Sequence, residues 1–222
     1  GENVLTNINI VNILTSINIF NKSSRYIMDK KSIQEQRMRS YFLDAVREII
    51  RGEGTGAVSA RSVADRAGYS YATLYNYFKD IRDLIFSCAE DFMEECREFI
   101  QKGRKEKPRG AEGITAATSA YAQYFIQYPG AFELLYQQKP SDIATPGSSL
   151  EAVNAFFDSL MGDDWEIYRT RKKLSETALS RVRGVHRHAV HGLLSLYLNR
   201  RKQASYREFM EELNAVSTFL LR

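Results

Sequence analysis

"AGYSYATLYNYF", residues 67–78, places five aromatic side chains in twelve positions, four of them the phenols Tyr69, Tyr71, Tyr75 and Tyr77, in a chain with one Trp. The alternation of Tyr69 and Tyr71 would suit an edge strand, whereas Leu74 and Phe78, four apart, would share one face of a helix. The flanks decide for helix. Ser70 stands where an N-cap belongs, and Gly68 stops a preceding helix, "ARSVADRA", that Ser59 can cap. That preceding helix has a narrow apolar stripe of Val63, Ala64 and Ala67. With Leu74 and Phe78 turned inward, so short a helix cannot also bury Tyr71, Thr73, Asn76 and Tyr77. Two short helices joined by a tight glycine turn, the second with a polar and phenolic outer face, form a helix-turn-helix pattern, whose second helix enters the DNA major groove.

Upstream, Met38, Phe42, Ala45, Val46, Ile49 and Ile50 follow helical spacing from Lys31 onward, and "RGEGTG" (51–56) ends that helix. Downstream, Asp80 can cap a long helix striped by Ile81, Leu84, Ile85, Cys88, Phe92, Cys96, Phe99 and Ile100. "KGRKEKPRG" (102–110) and "KPSDIATPGSS" (139–149) read as loops. Between and beyond them the helical pattern continues to the end, with a break or bend expected near Gly184 in the stretch 166–199 and a last helix over 205–221. No period of 20 to 50 residues recurs, so the chain is not a solenoid.

The 222 residues are 44% hydrophobic with four prolines, which favours an all-α class with core enough for one large or two small domains. The formal charge of +4 permits a polyanionic partner without requiring one. Cys88 and Cys96 lie about 12 Å apart along one helix, too far for a disulfide, so free thiols and a cytoplasmic location are expected. Residues 1–27 are rich in Asn, Ile and Leu but lack a signal-peptide layout and are too often interrupted by polar residues to span a membrane. They read either as an amphipathic helix docked on the body or as leader or appended sequence ahead of Met28.

"VSARSVADRAGYSYATLYNYFKDIRDL" (58–84) resembles the DNA-binding domain of the TetR family of bacterial transcriptional regulators, through Ser59, Val63, Ala64, Ala67, Gly68, Ser70, Thr73, Leu74, Tyr75, Phe78 and Leu84. The likeness covers residues 31–90, and "VHGLLSLYL" (190–198) is similar to a segment of some C-terminal domains of the family. The resemblance implies that Tyr71, Thr73 and Asn76 face base edges and that Tyr75 and Tyr77 contact phosphates. Arg61 would reach the major groove, and Ser59 would serve as both cap and phosphate partner. One departure stands out: the family places a phosphate-holding Lys at the start of the fourth helix, where this chain has Ile81. Lys79 or Arg82 would have to replace it. The resemblance also implies a homodimer through the last two long helices, with stripes at 190, 193, 194 and 197 and at 209, 213, 216 and 220, and a small-molecule effector whose binding swings the fourth helix.

Tyr121, Tyr124, Phe125, Tyr128, Phe132 and Tyr136 form an aromatic set that suits either an ordinary core or a pocket lining. The candidate pocket is Cys96, Tyr121, Tyr124, Phe125, Tyr128, Trp165 and His191. His186, His188 and His191 do not share one helix face and have no carboxylate at a spacing that completes a metal site, so neither metal nor cofactor is expected. The basic run Arg169, Arg171, Lys172, Lys173, Arg181, Arg183 and Arg187 reads as a solvated face. Without a nucleophile elbow, phosphate loop or zinc motif, an enzyme is not indicated. The expected protein is all-α with about nine helices: an extension (1–27), a three-helix helix-turn-helix domain (28–80) and a larger helical effector-binding and dimerisation domain (81–222). It would be a ligand-responsive regulator, a repressor released from an inverted-repeat operator by a small molecule. The alternative is a DNA-bound interaction protein that recruits a protein partner and has no small-molecule effector.

Overall fold

The computed structural model describes residues 30–103, 109–139, 151–202 and 204–222. The reading of residues 1–27, and most of the loop at 139–149, lies outside them. Among the described residues there are ten helices and no strand: α1 (30–53), α2 (Ala60–Ala67), α3 (Tyr71–Leu74), α4 (Ile81–Lys102), α5 (Ala111–Gln127), α6 (Pro129–Tyr136), α7 (Glu151–Ser159), α8 (Gly162–Lys172), α9 (Glu176–Leu198) and α10 (Tyr206–Leu220). A 3-10 turn, Thr55–Ala57, joins α1 to α2.

Most boundaries follow from capping chemistry, in which a side-chain oxygen accepts one of the helix's orphan N–H groups. Ser59, Ser70, Asp80, Ser175 and Ser205 each accept from the backbone N–H three residues on. At Ser205 the Glu208 carboxylate returns the bond, closing a capping box. Gly68 ends α2 in the left-handed region (φ 77°), where a side chain would be strained.

Two local expectations are corrected. The helical region 166–199 breaks at Lys173–Ser175, not near Gly184: Lys173 takes a left-handed conformation (φ 54°) and Ser175 caps the next helix. Gly184 lies inside α9, where a glycine costs about 1 kcal/mol relative to Ala but need not break a helix whose face is packed. Helix α3 is also shorter than "YATLYNYF". After Leu74 the bonds tighten to i→i−3, Asn76 N–H to Thr73 O at 3.1 Å and Tyr77 N–H to Leu74 O at 3.0 Å.

One buried cluster runs through both halves of the chain, from Phe42 and Ile49 on α1 through Phe92 on α4 and Tyr121 on α5 to Leu213 on α10. The first helix is tied to α4 by Arg47–Glu95 (3.2 Å), Arg47–Asp91 (3.6 Å) and Arg51–Glu95 (2.5 Å). Helix α6 also docks there. A Cβ on Gly130 would collide with the Ile50 carbonyl oxygen, and Thr55 Oγ1 bonds both the Glu133 carboxylate and, at 2.7 Å, Gln138 Nε2.

Candidate nucleic-acid interface

The ends of α2 and α3 are pinned by hydroxyls. Ser59 Oγ accepts from Ser62 N–H (3.1 Å), and Ser62 Oγ accepts from Ser59 N–H (2.9 Å) while donating to Ala57 O (2.8 Å). Ser70 Oγ accepts from Thr73 N–H (3.2 Å) and lies 2.9 Å from Thr73 Oγ1. Ser62 was not singled out in the sequence, although a Ser three residues after a Ser cap is a variant of the capping-box spacing.

These caps sort the phenols into two groups. Leu74 and Phe78 are buried, as the spacing requires. Tyr69 and Tyr77 lean on α1, their rings 5.7 and 6.2 Å from that of Phe42. Tyr71 and Tyr75 stand outward, 64% and 46% exposed, edge to face at 6.4 Å. Asn76, Lys79 and Ser59 are exposed and Thr73 is half-buried. Arg61 projects from the first turn of α2 with its side chain 93% exposed and Asp65 at 4.0 Å as its ion-pair partner. Tyr77 thus differs from Tyr71 and Tyr75 in being half-buried against α1.

Arg39 was missed. Its guanidinium donates to Tyr77 O and lies 4.1 Å over the Phe78 ring, so α1 holds the turn that follows α3. The contact spans 38 residues and has no local sequence signal. At the departure noted at Ile81, Arg82 is held by the capping Asp80 (2.9 Å). The Asp80 carboxyl is lowered from its ordinary value by the Asp83 N–H and by Arg82. Lys79 keeps its side chain exposed, its backbone N–H donating to Asp83 (3.1 Å).

Residues 42–88, from mid-α1 to the first turns of α4, match the family model of bacterial regulatory proteins, tetR family. This segment of the chain is similar to the DNA-binding domain of the tetR family. Solved structures share the chain's fold: a TetR transcriptional regulator from Rhodococcus sp. RHA1 (TM-score 0.61, 18% identity, 84% of this chain and 97% of that one). A TetR family transcription regulator from Marinobacter aquaeolei is similar at TM-score 0.59 and 17% identity, over 85% and 97% of the two chains. A protein of unknown function from Rhodococcus sp. RHA1 gives 0.65 and 19%, over 83% and 94%.

The second helical body is organised around His191. Its Nε2 lies 2.9 Å from Tyr121 Oη, and the rings of Tyr136 (4.4 Å), Phe157 (5.2 Å) and Phe132 (6.0 Å) surround it. Burial, then the positive charge of Arg187, holds the His191 pKa down at about 4, so the ring is neutral. Phe125 packs on Tyr121 at 4.7 Å, and Cys96 is fully buried, its thiol pushed up by burial.

The other candidates lie elsewhere. Tyr124 Oη donates towards Phe92 O and Glu95 on α4 (both 3.2 Å), and Tyr128 sits beneath Arg51 of α1 at 4.7 Å. Trp165 packs beside His186 (5.6 Å), with its Nε1 and His186 Nδ1 both buried without a partner. The sequence also treated Arg187 as part of a solvated run, whereas it pairs with Asp158 at 2.6 Å beside Tyr136 and His191. Two surface grooves, of about 520 Å³ beside Pro129, Tyr197 and Lys202 and about 390 Å³ beside Thr115, Asn214 and Leu221, include none of the candidate pocket residues. Among the described residues no three His, Cys, Asp or Glu side chains gather as for a metal ion, and no helix is long and apolar enough to cross a membrane.

Proposed function

We propose that this DNA-binding regulator is a homodimeric cytoplasmic repressor that leaves an inverted-repeat operator when a small molecule binds its helical body. The observation that carries the reading is the pair of outward phenols, Tyr71 and Tyr75, on a capped helix-turn-helix held from behind by Arg39. Tyr71, Thr73, Asn76 and Arg61 read base edges, Tyr75, Tyr77 and Ser59 meet phosphates, and Lys79 supplies the cation that Ile81 cannot.

Release is supported by α6. One side of this helix carries Phe132 and Tyr136 into the His191 cluster, while Gly130 and Glu133 press on Ile50 and Thr55 at the entry to α2. Displacement of α6 therefore disturbs the seat of the reading head as well as the Arg51–Glu95 tie to α4. A coupling of about 1–3 kcal/mol would change DNA affinity roughly 5- to 150-fold.

The stripes named for dimerisation pack inside the chain: Val190, Leu194, Phe209 and Leu213 are buried, and Tyr197 stacks on Phe209 at 4.3 Å. The opposite faces of the same two helices expose Val185 (54%), Leu196 (44%) and Phe219 (70%), and these supply the contact with a second copy. Selection of genomic fragments by the full chain, with light scattering on the complex, tests the reading. A dimer enriching two inverted half-sites one helical turn, about 34–36 Å, apart is expected. A monomer on a single half-site would instead favour a head that recruits a protein partner.

A further inference from the structure

We propose that α1 makes a second, sequence-independent contact with DNA, in which Arg37 and the stacked phenols Tyr41 and Tyr69 hold the phosphate backbone at the entry to α3; this rests on the DNA-reading function above. Tyr69 immediately precedes Ser70, the cap of α3, and its ring stacks on Tyr41 of α1 with centroids 6.1 Å apart and planes 27° from parallel. Both rings face solvent, Tyr41 at 50% and Tyr69 at 38% exposure. The Phe42 ring lies 5.7 Å from Tyr69, so the stack is anchored to the core and still open. Ile33, Arg37 and Tyr41 recur every four residues and share one face of α1, and all three are exposed. The stretch 31–37 is exposed throughout and carries Lys31 and Arg37 against the single carboxylate of Glu35.

Position and chemistry both point to phosphate. A recognition helix lies in the major groove with its N-terminal residues on the base edges, and a sugar–phosphate strand bounds the groove on each side. The phosphate contacts proposed above come from Ser59, ahead of α2, and from Tyr75, Tyr77 and Lys79, after α3. The chain entering α3 contributes none of them. Tyr71 meets the bases, so Tyr69, two residues earlier, stands at the edge of the groove with Tyr41 beside it. Arg37 has no ion-pair partner among the described residues, and Asp44, the carboxylate one turn beyond Tyr41, is held by Arg47. Neither the Tyr41 nor the Tyr69 hydroxyl has a hydrogen bond among the described residues. One guanidinium and two unengaged hydroxyls are donors suited to phosphate oxygens, which carry no sequence information.

Anisotropy titrations of the full chain on its selected duplex and on a scrambled duplex, across a salt series, test the proposal with Arg37→Ala and Tyr41→Phe. Arg37→Ala should weaken both duplexes by the same factor, about threefold or more, and should reduce the slope of log affinity against log salt by about 1 for each head bound. Tyr41→Phe, which keeps the stack and removes one hydroxyl, should weaken both duplexes equally without changing the slope. Urea unfolding of both variants should match the wild type, since both sites are exposed. Wild-type affinity and slope in both variants, or a loss confined to the selected sequence, overturns the proposal. Tyr71→Ala separates the two readings. If it loses sequence preference while Arg37→Ala and Tyr41→Phe bind as the wild type does, base reading by α3 stands and the α1 contact falls. If the wild type prefers neither duplex but Arg37→Ala weakens both with the smaller slope, base reading falls and the α1 contact stands. A wild type that binds neither duplex overturns both.

Discussion

Two crowds of aromatic side chains, built from the same residue types, meet opposite fates in this protein. Around α3, Tyr71 and Tyr75 stand in solvent on a four-residue helix fixed by serine hydroxyls and by one arginine from behind. Around His191, Tyr121 is fully buried and packs edge to face on Phe125 and Phe157 at 4.7 and 4.8 Å. Helix length separates them. A single helical turn with two inward apolar residues cannot cover more rings, whereas α5, flanked by α4, α6 and α10, presents a face wide enough to bury its own. The outer crowd is available for recognition, and the inner one mostly holds the fold.

The largest test of this contrast is truncation. Tyr121→Ala should cost about 3–5 kcal/mol in urea unfolding, as large core-to-alanine changes do. Tyr71→Ala should stay within about 0.5 kcal/mol of the wild type. Similar losses at both sites would erase the distinction.

Acidification should strike the inner region next. Burial holds the pKa of His186 and His191 down at about 4, against roughly 6.5 in the unfolded chain. Between these values the unfolded state binds more protons, so stability falls as pH is lowered from about 6.5 to about 4, by up to about 1.4 kcal/mol per pH unit for each histidine. Above pH 6.5 the two contribute no slope. Urea midpoints at pH 7 and pH 5 check the sign, and His186→Gln should flatten the dependence. The reading head contains no histidine, so any slope from these groups belongs to the helical body.

A smaller effect is expected at the cap of the outer region. Ser59→Ala should lower stability by about 1 kcal/mol, measured in the same unfolding assay, because the Ser62 N–H loses its acceptor. Ser62→Ala should act similarly, since it breaks the returning bond to Ser59 N–H and the bond to Ala57 O.

The same contrast explains what the sequence made legible. Ser59, Gly68, Ser70 and Asp80 act within four residues of themselves, and each does in the structure what its local pattern implied. The shortening of α3 and the break at Lys173 depend on how neighbouring turns compete, which a stripe of apolar residues does not record. In the helical body, Tyr121, Phe125 and His191 were identified and do meet, but Tyr124 turns to Glu95 and Trp165 to His186. Arg187 looked like solvated charge because its partner Asp158 lies on another helix, and helix crossing determines whether such a side chain is covered. Arg39 escaped notice for the same reason.

The most direct test of the central claim is fluorescence anisotropy of the selected duplex, titrated with wild type and Tyr71→Ala across a salt series. Tight, salt-sensitive and sequence-selective binding that drops about tenfold or more in the variant, with unfolding unchanged, is the predicted result. Wild-type affinity in a folded Tyr71→Ala protein, on specific and scrambled DNA alike, would contradict the assignment of the outward phenols as the reading surface.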